Sequence, residues 1–329
     1  MALNTSISCI FPIRRHFASN AMRNTGDNAM RKLSVSISIF FLLLGASLTA
    51  AAETAKLKHL VSVYADVDGK KLQNPDGVAC PDDSFLVADS GNGRIVRFSY
   101  KNATLTTEGQ YPLDNVYPTI MQVNAQGEIY YLDGKQRRIG MLSASGEPKG
   151  NLKFAGLPAP ETLIPKSFRV DKEGNIHLLD IFSERVVSVS PAGNFIKSIP
   201  FPEQYGFFSD LAIDQRGKIF LLDSINAVVY VQNEQGDGFA PLSKNMKEYM
   251  NFPTGIALDR NGQIFLTDQY GSGLVLLGRD GAFLGRKIGM GWIDGLLFYP
   301  SQLCINSSNE IFIADRSNSR VQVFGLSEK

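Results

Sequence analysis

Short apolar runs that end in an aspartate recur along the chain at a spacing of 43 to 47 residues. Each run is rich in Ile, Leu, Phe and Tyr, and a second apolar run opens six residues after the aspartate. Runs of this length and composition predict β-strands. The six aspartates are Asp89, Asp133, Asp180, Asp223, Asp268 and Asp315.

The segment before each aspartate predicts another strand. A proline lies 14 or 15 residues before five of the six aspartates, and Phe208 takes its place in the fourth unit. An apolar run and a turn follow it, as in Thr254-Gly-Ile-Ala-Leu-Asp259 with Gly262 closing the turn. Gly adopts the left-handed conformation that such a turn needs, and Asp can hydrogen-bond to the turn backbone. A period near 45 residues with three regular strands and a variable outer strand predicts a β-propeller.

The order of these elements resembles the NHL-repeat family. Its marks are Pro-x-Gly-Ile-Ala, then Asp-x-x-Gly, then a strand ending in Asp, then Arg-Ile or Arg-Val before the third strand. The resemblance covers residues 72–324 and implies an all-β, six-bladed propeller of four-stranded antiparallel blades. It also implies binding to other macromolecules.

The last repeat lacks an outer strand, whereas residues 58–64 form an alternating strand that has no repeat of its own. We therefore expect residues 58–64 to complete the last blade and close the ring, because closure removes exposed sheet edges.

The first 52 residues predict export. Arg31 and Lys32 precede an apolar run of 16 residues, Leu33 to Leu48, and small residues follow it up to Ala52. This order is typical of a signal peptide, here residues 30–52, which would leave residues 53–329 as a single propeller in the periplasm or outside the cell. An uncleaved anchor is the alternative, although the run is short for a membrane span. Residues 1–29 fit neither part, so we expect Met30 to be the true start.

The charge balance argues against nucleic acid as a partner. The whole chain carries 33 basic and 32 acidic residues. Without residues 1–52, 28 basic and 31 acidic residues remain, so the mature part has no basic excess to attract phosphates. We expect a monomer with no membrane span after cleavage.

The repeated aspartates are interpreted as structural because they recur around the whole ring. Four of them have an arginine five residues later, which predicts an ion pair across the turn. The four arginines are Arg94, Arg138, Arg185 and Arg320.

Histidine and cysteine are too scarce for a zinc site. The predicted mature part contains only His59 and His177, and His177 takes a position that aromatic residues hold in the other repeats. A zinc site needs several converging His or Cys ligands. Cys80 and Cys304 fall in the first strands of adjacent blades, where either a disulfide or two buried free thiols fit the sequence.

Polar residues at the entry of the first strands form the candidate ligand site, because these strand ends converge on the axis of a propeller. The candidates are Asn74, Asp76, Tyr117, Lys166, Asp210 and Gln302, with Trp292 on a Gly-rich loop nearby.

The segment Asn74-Pro-Asp-Gly77 is similar to a motif of gluconolactonase-like propellers, in which the Asp binds a divalent ion. This similarity implies Asp76 as a ligand of a cation such as calcium, and Asp210 at the entry of another first strand could join it. A salt-bridged or solvated polar channel is the alternative.

Two functions fit the sequence. The first is a non-enzymatic binding or scaffold propeller of the cell envelope, with no catalytic residues and no cofactor, whose partner is an envelope protein or a small ligand. The alternative is a metal-dependent hydrolase or lyase of the lactonase-like propeller class, in which the ion polarises a carbonyl or activates water.

Overall fold

The computed structural model describes residues 56–81, 83–101 and 104–327. The predicted leader at 30–52 and the segment 1–29 lie outside the described residues. No helix among the described residues is long and apolar enough to cross a membrane.

Six four-stranded antiparallel sheets make up the described chain, which confirms the six-bladed propeller. In five of the sheets, the blades numbered one to five below, the four strands are consecutive in the sequence. The first blade contains β2 (Gly77–Ala79), β3 (Ser84–Asp89), β4 (Arg94–Lys101) and β5 (Thr104–Pro112). The second contains β6 (Pro118–Val123), β7 (Ile129–Asp133), β8 (Arg138–Leu142) and β9 (Pro148–Asn151). The third contains β10 (Pro165–Val170), β11 (Ile176–Asp180), β12 (Arg185–Val189) and β13 (Phe195–Pro200).

The remaining strands form three further blades. The fourth contains β14 (Phe208–Ile213), β15 (Ile219–Asp223), β16 (Val228–Gln232) and β17 (Phe239–Pro241). The fifth contains β18 (Pro253–Leu258), β19 (Ile264–Asp268), β20 (Gly273–Leu277) and β21 (Phe283–Ile288). The sixth contains β22 (Leu303–Ile305), β23 (Glu310–Asp315), β24 (Arg320–Ser327) and β1 (Lys56–Val63). Three short 3₁₀ turns lie at Ser90–Asn92, Pro160–Thr162 and Arg316–Asn318.

The front of the described chain closes the ring. β1 pairs antiparallel with β24, from Lys56 opposite Ser327 to Val63 opposite Val321. The predicted strand at 58–64 is therefore present and begins two residues earlier. It supplies the outer strand that the sixth repeat lacks.

The hydrophobic core lies between neighbouring blades. Phe85 of the first blade stacks on Phe98 with 4.9 Å between the ring centroids, and its ring lies 5.1 Å from that of Phe312 in the sixth blade. All three rings are buried. One sheet cannot cover both of its faces, so each blade depends on its neighbours for burial.

The repeated aspartates anchor the loops that enter the first strands. All six are buried. Each accepts a hydrogen bond from a backbone N–H that lies 16 or 17 residues earlier in the chain, as Asp89 does from Gln73 at 2.7 Å and Asp315 from Phe298 at 2.7 Å. The contact therefore fixes the start of each blade, in line with the structural interpretation.

Three of the four expected arginine pairs form. Arg94, Arg185 and Arg320 lie 2.7, 3.0 and 2.7 Å from the carboxylates of their aspartates.

The second blade differs, because Arg138 is exposed and Oδ2 of Asp133 is buried with no hydrogen-bond partner among the described residues. The fifth blade has Gly273 at the arginine position, and Arg286 from β21 binds Asp268 instead. A Cβ at Gly273 would lie 1.9 Å from that guanidinium, so the glycine makes room for the substitute partner.

Cys80 and Cys304 form a disulfide, with their Cα atoms 6.0 Å apart. Cys80 follows the last residue of β2, and Cys304 lies in β22. The bond therefore links the first and last blades of the ring.

His177 lies in a hydrogen-bonded row that resembles a catalytic triad. Its Nδ1 is 2.8 Å from Oγ of Ser188, and its Nε2 is 3.0 Å from Asp171. Ser188 is only 1% exposed, so no substrate can reach its hydroxyl. The row is a buried structural network, as expected for a ring packed at this position.

We expect the free energy of unfolding to fall less steeply with decreasing pH in His177→Phe than in the wild-type protein. Burial lowers the pKa of His177 below its ordinary 6.5, and the neighbouring Asp171 only partly opposes this shift. The unfolded chain therefore takes up this proton first, and stability is lost as pH falls from about 6.5 through the folded pKa, by about 1.4 kcal/mol for each pKa unit of lowering. Urea unfolding between pH 7.5 and 5 measures the difference, and parallel pH curves for the two proteins would contradict it.

Candidate functional site

A cavity of about 500 Å³ lies where the first strands begin. All six blades contribute to its wall, which places it at the mouth of the propeller channel; we call it the channel mouth. Each blade places a residue near the start of its first strand on this wall. In chain order these are Asp76, Tyr117, Lys166, Ser209, Thr254 and Gln302.

Among the described residues, the only carboxylate that lines the channel mouth is that of Asp76, and it is already paired. Nε of Arg316 lies 2.6 Å from Oδ1 of Asp76, and its Nη2 lies 3.5 Å from the hydroxyl of Tyr117. Burial raises the pKa of the Asp76 carboxyl, and the Arg316 guanidinium opposes that rise. Burial also raises the pKa of Tyr117. The charges of Asp76 and Arg316 cancel, so these three side chains together add no net charge to their side of the mouth.

Two further cations line the channel mouth without a partner. The side chains of Lys166 and Arg137 make no hydrogen bond or ion pair with the described residues. Lys166 is half-buried. Its pKa lies below the ordinary 10.5, first because burial disfavours the charged form and next because Arg137 is close. The mouth therefore has an excess of two positive charges, a suitable environment for an anion.

Buried polar side chains form the floor of the channel mouth. Oε1 of Gln302 accepts hydrogen bonds from the backbone N–H groups of Val78 at 3.1 Å and Met121 at 2.9 Å. Its Nε2 donates one to the carbonyl of Met121 at 3.0 Å. This one side chain, which is 2% exposed, joins the sixth, first and second blades.

The other half of the floor joins the third, fourth and fifth blades. Asp210 pairs with Arg169 at 2.7 Å and accepts hydrogen bonds from the Ser167 hydroxyl and from the backbone N–H of Ile256 at 3.0 Å. Asp210 is 1% exposed and Arg169 is buried. The axis is therefore filled with bonded side chains below the mouth.

The two aspartates considered as metal ligands lie at different depths. Asp76 directly follows Pro75, whereas Asp210 is the second residue after Phe208, which takes the proline position. Asp76 therefore lines the mouth, and Asp210 belongs to the floor beneath it. Each carboxylate is bound by an arginine. In the part of the chain that the structure describes, no three His, Cys, Asp or Glu side chains cluster as metal ligands. Both carboxylates are therefore engaged by arginines and do not converge on one point.

The other sequence candidates are distributed over this face. Tyr117, Lys166 and Gln302 line the channel mouth. Asn74 lies beside it, and its backbone N–H donates to Ser319 at 3.3 Å. Trp292 lies outside the mouth on the loop between β21 and β22, where its side chain is 72% exposed.

Three arginines of the candidate site have no repeated sequence pattern that predicts them. Arg137 and Arg316 come from the turns between the second and third strands, which vary between repeats. Arg169 lies in β10 at a position where the other repeats have mostly small residues, among them Ala79, Ala212 and Ala257. A lone charge at such a position was the available signal.

A second cavity of about 710 Å³ lies at the opposite ends of the first strands. Its wall includes turn residues such as Asn124, Asp214 and Asp259, whose side-chain oxygens accept N–H groups of their own turns. These polar groups serve the turns, so this cavity is the weaker candidate.

Residues 299–324 match the NHL repeat family model, which confirms the resemblance at the sixth repeat. Comparison with curated protein sequences gave no significant match.

Several solved structures share the fold. A virginiamycin B lyase from Staphylococcus aureus is 15% identical, with a TM-score of 0.56 over 83% of this chain and 100% of its own. A gluconolactonase from Xanthomonas campestris is 15% identical, with a TM-score of 0.61 over 86% and 93%. A protein of unknown function from Bacteroides thetaiotaomicron is 13% identical, with a TM-score of 0.63 over 83% and 76%. At these identities the likeness concerns the fold alone.

Proposed function

We propose that the protein is a non-enzymatic, ligand-binding propeller of the cell envelope, and that its channel mouth holds an anionic group of the ligand. The observation that supports this function best is that Lys166 and Arg137, on the wall of a recessed cavity, have no side-chain partner among the described residues. A half-buried ammonium gains most from an anion because water screens it poorly. Charge-assisted hydrogen bonds then fix the ligand's orientation.

Two features support a location in the envelope. The order of charged, apolar and small residues over 30–52 is typical of a signal peptide. The disulfide between Cys80 and Cys304 suits an oxidising compartment, because disulfides are rare in reducing cytosol.

We expect Lys166→Ala to weaken the binding of a small carboxylate such as hexanoate by about tenfold or more, because it removes a charge-assisted hydrogen bond. Lys172→Ala is the matched control, since Lys172 is exposed in the turn at the opposite end of β10 and its loss changes the net charge equally. Calorimetric titration of both variants measures the effect. If hexanoate affinity fell equally in both variants, the loss would reflect net charge and not a site at Lys166, and the proposal would be refuted.

Binding should also weaken at alkaline pH. Because burial lowers the pKa of Lys166 below 10.5, its ammonium loses the proton earlier than a free lysine as pH rises. Hexanoate affinity should therefore fall through this lowered pKa, whereas Lys166→Arg should keep its affinity to higher pH since arginine stays charged. Titrations from pH 7 to 10.5 test this, and identical profiles for both proteins would speak against Lys166 as the binding cation.

The second candidate function is a hydrolase or lyase. The shared fold with a virginiamycin B lyase and a gluconolactonase favours it. The metal-dependent form requires a stoichiometric ion that Asp76→Ala releases. Metal analysis of the purified protein, with thermal unfolding in the presence and absence of EDTA, separates the two functions. An ion that stabilises the protein and is lost in Asp76→Ala would favour the enzyme over the binding module.

A further inference from the structure

A row of five aromatic rings leads outward from the channel mouth over the fifth and sixth blades. We call it the aromatic row. Successive ring centroids lie 5.0, 5.9, 5.0 and 5.7 Å apart. In spatial order the row consists of Phe252, Tyr270, Tyr299, Phe298 and Trp292. Its first two members line the mouth itself.

The aromatic row is open to solvent along its length and most of all at its outer end. Trp292 is 72%, Tyr270 49% and Tyr299 37% exposed. Soluble proteins rarely expose contiguous apolar surface of this kind without a ligand or partner for it.

Two of the rings are carried on unusual backbone. Phe252 and Tyr299 have positive φ angles of 68° and 49°, a conformation that is costly for bulky residues. Both directly precede the proline that opens the first strand of their blade. Asn74 takes the same place before Pro75 with a φ of 44°, so this conformation belongs to the entry of the blades and fixes where the two rings stand.

The aromatic row and the cations occupy two ends of one surface. Lys166 and Arg137 line the mouth, whereas the outer part of the row offers ring faces and edges. A ligand that fits both ends has one anionic group and an extended apolar part. A hydrocarbon chain needs only apolar contact along its length, and the ring faces and edges of the row supply that contact.

We propose that the ligand is a long-chain carboxylate, whose head group binds Lys166 and Arg137 while its hydrocarbon chain lies along the aromatic row. This inference rests on the proposed anion site and extends it. A single amphiphile fits better than a bilayer, because Lys166 is half-buried inside the mouth and a head group held in a membrane plane would have to leave it to reach the ammonium.

Chain length gives the sharpest test. We expect hexadecanoate, below its micellar concentration, to bind far more tightly than hexanoate, by about twofold to fourfold for each methylene that reaches the row. Trp292 is the only tryptophan of the chain, so its fluorescence reports on the outer end of the row. Hexadecanoate should shift the emission to shorter wavelength, whereas hexanoate should bind without a shift.

Matched variants separate this inference from the proposed function. Trp292→Ala should weaken hexadecanoate binding severalfold in calorimetry and leave hexanoate binding unchanged. Phe182→Ala is the control, because Phe182 is a 63% exposed aromatic outside the row and its loss should affect neither ligand.

Equal affinity for both carboxylates would overturn the long-chain ligand while the anion site stands. If neither carboxylate binds, both proposals fail. Tight binding to phosphatidylglycerol vesicles that survives Lys166→Ala would identify a membrane surface instead and overturn the inference.

Discussion

Asp210→Ala should lower the free energy of unfolding by about 3 to 5 kcal/mol. The substitution leaves Arg169 buried without its carboxylate, and an unpaired buried charge is among the most destabilising single changes. It also frees the backbone N–H of Ile256 and the Ser167 hydroxyl, so three blades lose their shared contact at the axis. Urea unfolding at neutral pH measures the loss.

Asp76→Ala is the control for this prediction. Its partner Arg316 is 35% exposed and can turn to water, so the expected cost is about 1 kcal/mol. The double variant with Asp210→Ala and Arg169→Met should recover most of the lost stability, because no buried charge remains. Equal costs for Asp210→Ala and Asp76→Ala would contradict the assignment of Asp210 to the buried floor.

Replacing Cys80 and Cys304 by serine should lower the free energy of unfolding by about 3 to 5 kcal/mol. The two cysteines are 224 residues apart in sequence, so the bond closes a loop over about two thirds of the unfolded chain, and the stabilisation grows with the length of the closed loop. The disulfide also ties the first blade to the sixth, in which β1 completes the sheet.

Denaturant unfolding of the wild-type protein with and without a thiol reductant should show the same loss as the double serine variant. The reductant should have no effect on that variant, which controls for side reactions. Identical stability of the oxidised and reduced wild-type protein would contradict this prediction.

The architecture could be predicted because the same pattern of strands and aspartates recurs in every blade. The spacing of Asp89, Asp133 and their equivalents sets the number of blades, and the structure gives each of them the same backbone partner. The closing strand followed from an unpaired alternating segment and a last repeat without an outer strand. Both inferences depend on main-chain geometry, which every repeat obeys.

The candidate site was harder to predict because it is built from the positions at which the repeats differ. Asp76 and Asp210 both lie close to the start of a first strand, although a one-residue offset places them in different layers. Arg286 replaces the expected partner of Asp268 from another strand, where no spacing rule reaches it. Arg137 and Arg316 lie in turns and line the mouth with their side chains. Their presence there depends on the direction of each side chain, which sequence position does not give.

The location of the anion site can be measured directly by diffraction. A crystal soaked in 4-bromobenzoate should show an anomalous bromine peak within the channel mouth, with density for the carboxylate beside Lys166 and Arg137. The same soak of Lys166→Ala should lose the peak. A peak at the opposite cavity, or one in the mouth that persists in Lys166→Ala, would contradict the account.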